Sequence, residues 1–141
     1  MTEDQRAPTR VLNEAECWSL IEDAPYGRVA AAAGDEIDIF PINHAVLGGD
    51  IVFRTAPGTK LVELTIRHRV AFEVDGYDDS HAWSVVVKGQ AVELERSAEI
   101  AELEQLSIRP WAPEEKARWV RIDVSDVQGR RFERPTVGSE R

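Results

Sequence analysis

The chain has 141 residues, 43 % of them hydrophobic and 30 % charged, which suits a single soluble globular domain. Its formal net charge of -9 and pI near 4.8 exclude non-specific nucleic-acid binding, which needs a net basic face. No apolar run approaches the roughly 18 residues that cross a bilayer, and MTEDQRAPTR lacks the apolar centre of a signal peptide, so a cytoplasmic protein with no membrane partner is expected.

Residues 1–10 read as a flexible lead-in and 134–141, RPTVGSER, as a tail, leaving 11–133 as the domain. Asn13 is placed to cap a helix that runs to about Glu22, with Glu16 at the capping-box position. Leu12, Trp18 and Ile21 suit one apolar face of it. Cys17, on the same stretch, is the sole cysteine; it can form neither an internal disulfide nor a thiolate zinc cluster, and is expected to pack. APYG ends the helix.

Strands follow. RVAAAAG reads as a short strand ending at a Gly34-Asp35 turn. IDIFPINHAVL alternates at Ile37 and Ile39 and continues past Pro41 to a turn at Gly48-Gly49-Asp50. DIVFRT then completes a hairpin across the two glycines. A helix is expected from Pro57, with Leu61 and Leu64 facing inward and Val62 and Ile66 beside them. RVAFEVDGY and AWSVVVKGQAVEL are β-branched and alternating, predicting two long strands joined by a loop at 76–81. A helix over 97–106 and an irregular IRPWAPEEK lead to WVRIDVSDVQGRRF, a last strand with an interruption, which alternates Val120, Ile122, Val124 and Val127. The order predicts an α+β fold, mainly β, built as a small antiparallel barrel with a few short helices.

The stretch FRTAPGTKL, 53–61, carries the chemistry. A helix beginning at Pro57 has unpaired amides and a partial positive charge at its start, and proline loses nothing there. Gly58 allows close backbone approach, Thr55 and Thr59 supply hydroxyls, Lys60 a point charge and Arg54 a planar fork. Spacing alone leaves two readings open: a phosphate site, or a solvated basic turn capped by threonine. The glycine-lysine-serine/threonine order of a Walker loop is absent, and no G-x-G-x-x-G opens a helix after a strand.

Elsewhere the signals are structural. His44, His68 and His81 have no metal-ligand spacing, so no metal site is expected. No serine stands in a nucleophile elbow. DGYDD lacks the spacing of a calcium loop and reads as a hairpin tip. ELERSAEIAELEQL reads as a solvated helix face, and Trp83 and Trp111 as core or interface aromatics.

Taken together, GRVA, PINHAV, GGDIVFRTAPGTKL, VAFEVDGYDDSHAWSVVVKGQA and VQGRRF resemble the pyridoxamine 5′-phosphate oxidase-like flavin-binding family, in its short actinobacterial-type branch, over about residues 13–132. The resemblance implies a split β-barrel homodimer holding flavin mononucleotide (FMN) without a covalent bond, in clefts between subunits. It implies that Arg54, Thr55, Thr59 and Lys60 hold the phosphate, and that Pro41, Ile42 and Asn43 pass the isoalloxazine ring. Ser84 and Trp83 would meet the cofactor from the central strand, and Arg130 or Arg131 from the C-terminal segment lent by the other subunit.

The implied activity is redox transfer to a small molecule. GRRFERP lacks the Arg-x-His element of the true vitamin-B6 oxidases, which argues against B6 oxidation. Related split barrels bind the deazaflavin F420 or haem, so an F420-dependent reductase and a non-catalytic flavin or haem carrier or sensor are the alternatives. A haem would need His44 or His81 as axial ligand. No residue is placed by the sequence as a general base.

Overall fold

A computed structural model describes residues 9–55, 60–94, 101, 103, 105 and 118–135. The expected helix start at Pro57 and Gly58, the site residue Thr59, most of the helix over 97–106, the IRPWAPEEK segment with Trp111, and positions 1–8 and 136–141 lie outside these.

In chain order the elements are β1 (Arg10–Val11), α1 (Glu14–Asp23), β2 (Gly27–Ala33), β3 (Glu36–Ile42), β4 (His44–Leu47), β5 (Asp50–Thr55), α2 (Lys60–Thr65), β6 (Arg69–Tyr77), β7 (His81–Leu94) and β8 (Arg118–Glu133). The capping box of α1 is complete. Glu16 N–H donates to Asn13 Oδ1 at 2.8 Å, and Asn13 N–H donates to Glu16 Oε1 at 2.9 Å. Cys17 and Ile21 are buried, and the helix stops at Ala24, held extended before Pro25.

The strands form one sheet ordered β3-β2-β6-β7-β8-β5-β4, with β1 added to β8, and every named pairing is antiparallel. Its two end strands, β3 and β4, are halves of one extended segment separated by Asn43 alone. The sheet therefore curls until its ends meet in the chain at residues 42–44. The sheet stays open between β3 and β4, which are its two ends, and this curled open sheet fits the expected split-barrel class.

Three details depart from expectation. The β6–β7 loop is 78–80, because Gly76 and Tyr77 still pair with Trp83 and Ala82. β8 runs unbroken, but its register slips between Lys88↔Asp126 and Gly89↔Val124, leaving Ser125 as a bulge. A Cβ on Gly89 would come within 2.2 Å of Asp123 O, so only glycine fits beside that bulge. In β3 the alternation holds with the opposite sense: Ile42 is buried and Phe40 half-buried, while Ile37 and Ile39 face outward at 73 % and 63 % exposure.

The core fills the barrel with Val29, Ile51, Phe53, Phe72, Val85, Val87, Val120 and Ile122, and α1 plugs one end. A smaller cluster, Val52, Leu94, Leu103 and Trp119, packs on the outside of β5, β7 and β8. Ala101 and Leu103 are helical, and the burial of Leu103 shows that the charged stretch around it carries an apolar contact as well as a solvated face.

Candidate functional site

Arg54 and Thr55 end β5. Arg54 is half-buried, with its guanidinium 5.3 Å from the centroid of the Trp119 ring, its partner across the ladder on β8. Thr55 is buried at 5 % exposure. Asn43 precedes His44, which pairs with Phe53, so the 41–43 corner lies beside this end of β5. Pro41 is exposed there, Asn43 half-buried, and Ile42 belongs to the core rather than to a surface.

Lys60 opens α2. Its Nζ lies 2.7 Å from Glu36 Oε2 and 3.0 Å from Asp38 Oδ2, both on β3, and these two hydrogen bonds raise its pKa above the ordinary lysine value. The lysine therefore stays charged, inside a group of three whose sum is negative. Sequence reasoning missed both carboxylates.

Ser84, Trp83, Arg130 and Arg131 meet at the other end of the β7–β8 ribbon. Ser84 pairs with Asp75 and Arg130, while Trp83 pairs with Gly76 and Arg131. Trp83 lies against Gly76, where a Cβ would come within 2.7 Å of its ring, and Arg131 sits 6.0 Å from the ring centroid. Beside them opens a cleft of about 420 Å³ lined by Asp75, Tyr77, Trp83, Ser84, Phe132 and Arg134.

A second missed group adjoins that cleft on the outer face. Arg28 Nη1 lies 3.1 Å from Glu73 Oε1 and 3.8 Å from Asp75 Oδ1. Burial, then the hydrogen bond and charge of Asp75, push the Glu73 carboxyl up to about 7 against the pull of Arg28. The period-two spacing of Glu73 and Asp75 in RVAFEVDGY was the available signal for this pair.

The predicted residues thus fall into two groups. Arg54 shares its rung with Trp119, which pairs with Leu94 on β7, whereas Ser84 is ten residues earlier on that strand. The separation is roughly 33 Å along extended chain. Arg54 and Ser84 therefore stand toward opposite ends of the β7–β8 ribbon.

Of the histidines, His44 has Nε2 bonded to Ile21 O at 2.8 Å and Nδ1 shut off from solvent, so neither nitrogen is open to a haem iron. His81 Nδ1 lies 4.0 Å from Asp78 Oδ1. No group of three metal-ligating side chains occurs among the described residues, and none of their helices is long and apolar enough to cross a membrane.

Arg54 and Thr55 thus end β5, and Lys60 opens α2, where it already serves two carboxylates. A family model described as pyridoxamine 5′-phosphate oxidase matches residues 13–131. A Corynebacterium glutamicum structure described in the same family terms superposes with a TM-score of 0.82 at 40 % identity, covering 90 % of this chain and all of that one. The FAD binding protein of Mycobacterium smegmatis superposes with a TM-score of 0.79 at 36 % identity, covering 88 % of this chain and 98 % of that one. The uncharacterized protein Rv0080 of Mycobacterium tuberculosis is 30 % identical over 129 residues, 86 % of this chain and 84 % of its own.

Proposed function

The chain belongs to the pyridoxamine 5′-phosphate oxidase family, and from that membership we propose that it is an oxidoreductase working through a non-covalent flavin in a site shared by two copies of the chain. The observation that carries this reading is the separation of Arg54 from Ser84 along the β7–β8 ribbon. Two copies packed face to face can bring the 54–60 end of one chain to the Ser84–Arg131 end of the other.

The outer face of β3, β2 and β6 favours such packing. It presents Ile37, Ile39 and Pro41 beside Ala30, Ala32 and Ala71, an apolar sheet face that gains by being covered. Within the site, Arg54, Thr55 and Lys60 hold the phosphate, and the backbone at Pro41–Asn43 lies along the ring. Ser84, Trp83 and Arg131 come from the second copy, and their packed side chains exclude water. The flavin supplies the hydride or electron transfer, and the protein supplies its orientation and electrostatics. The substrate is a small redox-active molecule other than a B6 phosphate.

FMN is the cofactor the sequence favours. The Mycobacterium smegmatis relative, described as FAD-binding, favours the dinucleotide as a second reading. The absorption spectrum and light-scattering mass of the purified protein, with melting curves in FMN, FAD and F420, test the proposal. We expect a yellow dimer whose melting temperature rises with a flavin. A colourless monomer that no flavin shifts overturns it.

A further inference from the structure

Glu73 and Asp75 stand two residues apart on β6, and the strand's period of two turns both to the outer face, opposite the buried Phe72 and Val74. Arg28, the register partner of Glu73 on β2, meets both with one atom: its Nη1 lies 3.1 Å from Glu73 Oε1 and 3.8 Å from Asp75 Oδ1. A single guanidinium thus faces two carboxylates and leaves the group negative when all three are ionised. Like charges this close do not ionise independently, so the two carboxyls titrate as a pair that holds one proton above the ordinary carboxylate range. The burial of Glu73 and its hydrogen bond with Asp75 act in the same direction and outweigh Arg28.

The other charged groups on this face stand on other rungs. On the β2 side the Arg28 guanidinium also lies 5.6 Å from the centroid of the Tyr26 ring. On β7 the pair faces Val86 and Ser84, with Lys88 one rung away opposite Ala71; on β8 Arg130 lies beyond Ser84. Arg134 is 4.5 Å from the Tyr77 ring centroid, and its Nη1 donates to Asp78 O. The two carboxylates differ in what they meet. Asp75, 50 % exposed, lines the cleft of about 420 Å³ with Ser84 and Trp83, whereas Glu73, 30 % exposed, stands one rung further along β6. A proton held by the pair is sheltered at Glu73 and presented at Asp75.

We propose that Asp75 is the proton donor to a substrate seated in the cleft beside Ser84, with Glu73 the positioning residue that holds the proton behind it and Arg28 keeping the pair together. The proposal rests on the flavin reading above and narrows the substrate to an acceptor whose reduction leaves hydrogen on oxygen or nitrogen. Such a reduction adds one hydride and one proton. The hydride comes from the reduced flavin and the proton from the pair, which ends doubly ionised beside Arg28 until solvent returns one.

The test begins with the purified protein labelled with carbon-13 at its carboxyl groups and titrated by NMR. We expect Glu73 to titrate at about 7 and Asp75→Asn to bring that step down. Titration of both groups below about pH 5, in the ordinary carboxylate range, overturns the proposal. The flavin-loaded protein is then reduced and mixed with a benzoquinone, which gains hydrogen, or with ferricyanide, which gains electrons alone. We expect Asp75→Asn to slow the quinone reaction on the order of 100-fold relative to the ferricyanide reaction. Glu73→Gln should remove the pH dependence of the quinone reaction near neutrality, with a smaller loss of rate. Equal losses with both acceptors, no loss with the quinone, or a wild-type protein that reduces ferricyanide alone overturns the proposal and leaves the flavin reading intact. Should no flavin bind, the flavin reading falls and the donor role falls with it.

Discussion

His44 donates from Nε2 to the carbonyl oxygen of Ile21 at 2.8 Å, tying β4, one end strand of the sheet, to the last turn of α1. Its ring meets Phe72 edge-on, with centroids 4.9 Å apart, and its Nδ1 is sealed from solvent. Burial lowers the pKa of this histidine below 6.5, outweighing the opposite effect of the bond to Ile21. The unfolded chain therefore takes up the proton first as pH falls, and stability drops below pH 6.5 until the folded form also protonates. We expect His44→Gln to lessen that acid loss. Denaturant melts of both proteins at pH 7.5 and 5.5 check it, and parallel losses would refute the assignment.

Glu73 works in the opposite direction. Its folded pKa is raised from 4.5 to about 7, so the unfolded chain releases the proton first, and the contribution to stability is lost as pH rises through that window. Its window overlaps that of His44, and the two slopes partly cancel in the wild type. We expect Glu73→Gln to be more stable than wild type at pH 8 and closer to it at pH 4.5. A gap that widens toward acid would mean that Arg28, not burial and Asp75, dominates at Glu73.

Much of this architecture was legible in local sequence because local forces set it. The Asn13–Glu16 capping box needs only four consecutive residues, and it forms as read. In the last strand the step from Val124 to Val127 breaks a period of two, which is the signature of the extra residue that the structure places at Ser125. The sense of β3 was not legible, because Ile37 and Ile39 on one face and Phe40 and Ile42 on the other are equally apolar. Nor were the partners of Lys60, which lie more than 20 residues upstream on another strand and meet it only once the sheet has curled. FRTAPGTKL displays its cations; the carboxylates that answer one of them are written elsewhere.

Leu103 sits in a stretch rich in glutamate, yet it is 1 % exposed against Val52, Leu94 and Trp119. Those four side chains cover the outside of the strands that carry Arg54. Leu103→Ala removes buried methyl groups and leaves a cavity, so a loss of roughly 2–4 kcal/mol is expected. Chemical denaturation measures it; a loss under ~1 kcal/mol would show that the cluster collapses around the smaller side chain.

Gly89 faces the bulge, where an added Cβ would lie 2.2 Å from Asp123 O and 3.0 Å from Ile122 Cγ2. The nearest neighbour is backbone, so relief requires β7 and β8 to part at the bulge. We expect Gly89→Ala to lower stability by roughly 3 kcal/mol, at the upper end of overpacking costs. By contrast Gly48→Ala meets nothing within 4 Å and bears only the strain of its φ of +61°, so its loss should be the smaller of the two. Equal losses would assign the Gly89 effect to propensity rather than to contact.

Arg54 offers the sharpest test of the phosphate site, because only its removal is expected to separate FMN from riboflavin without touching the carboxylates of β3. Its stack on Trp119 holds the guanidinium at the end of β5, beside the 41–43 corner. Charge-assisted hydrogen bonds contribute about 1.5–3 kcal/mol, so Arg54→Ala should weaken FMN by roughly 10- to 100-fold. Riboflavin, which lacks the phosphate, should change little. Arg54→Lys keeps the charge but loses the planar fork and the stack, and should fall between the two. Fluorescence titrations of both ligands against the three proteins decide it. If FMN and riboflavin weaken together, Arg54 supports the fold of the site through Trp119 and does not bind the phosphate.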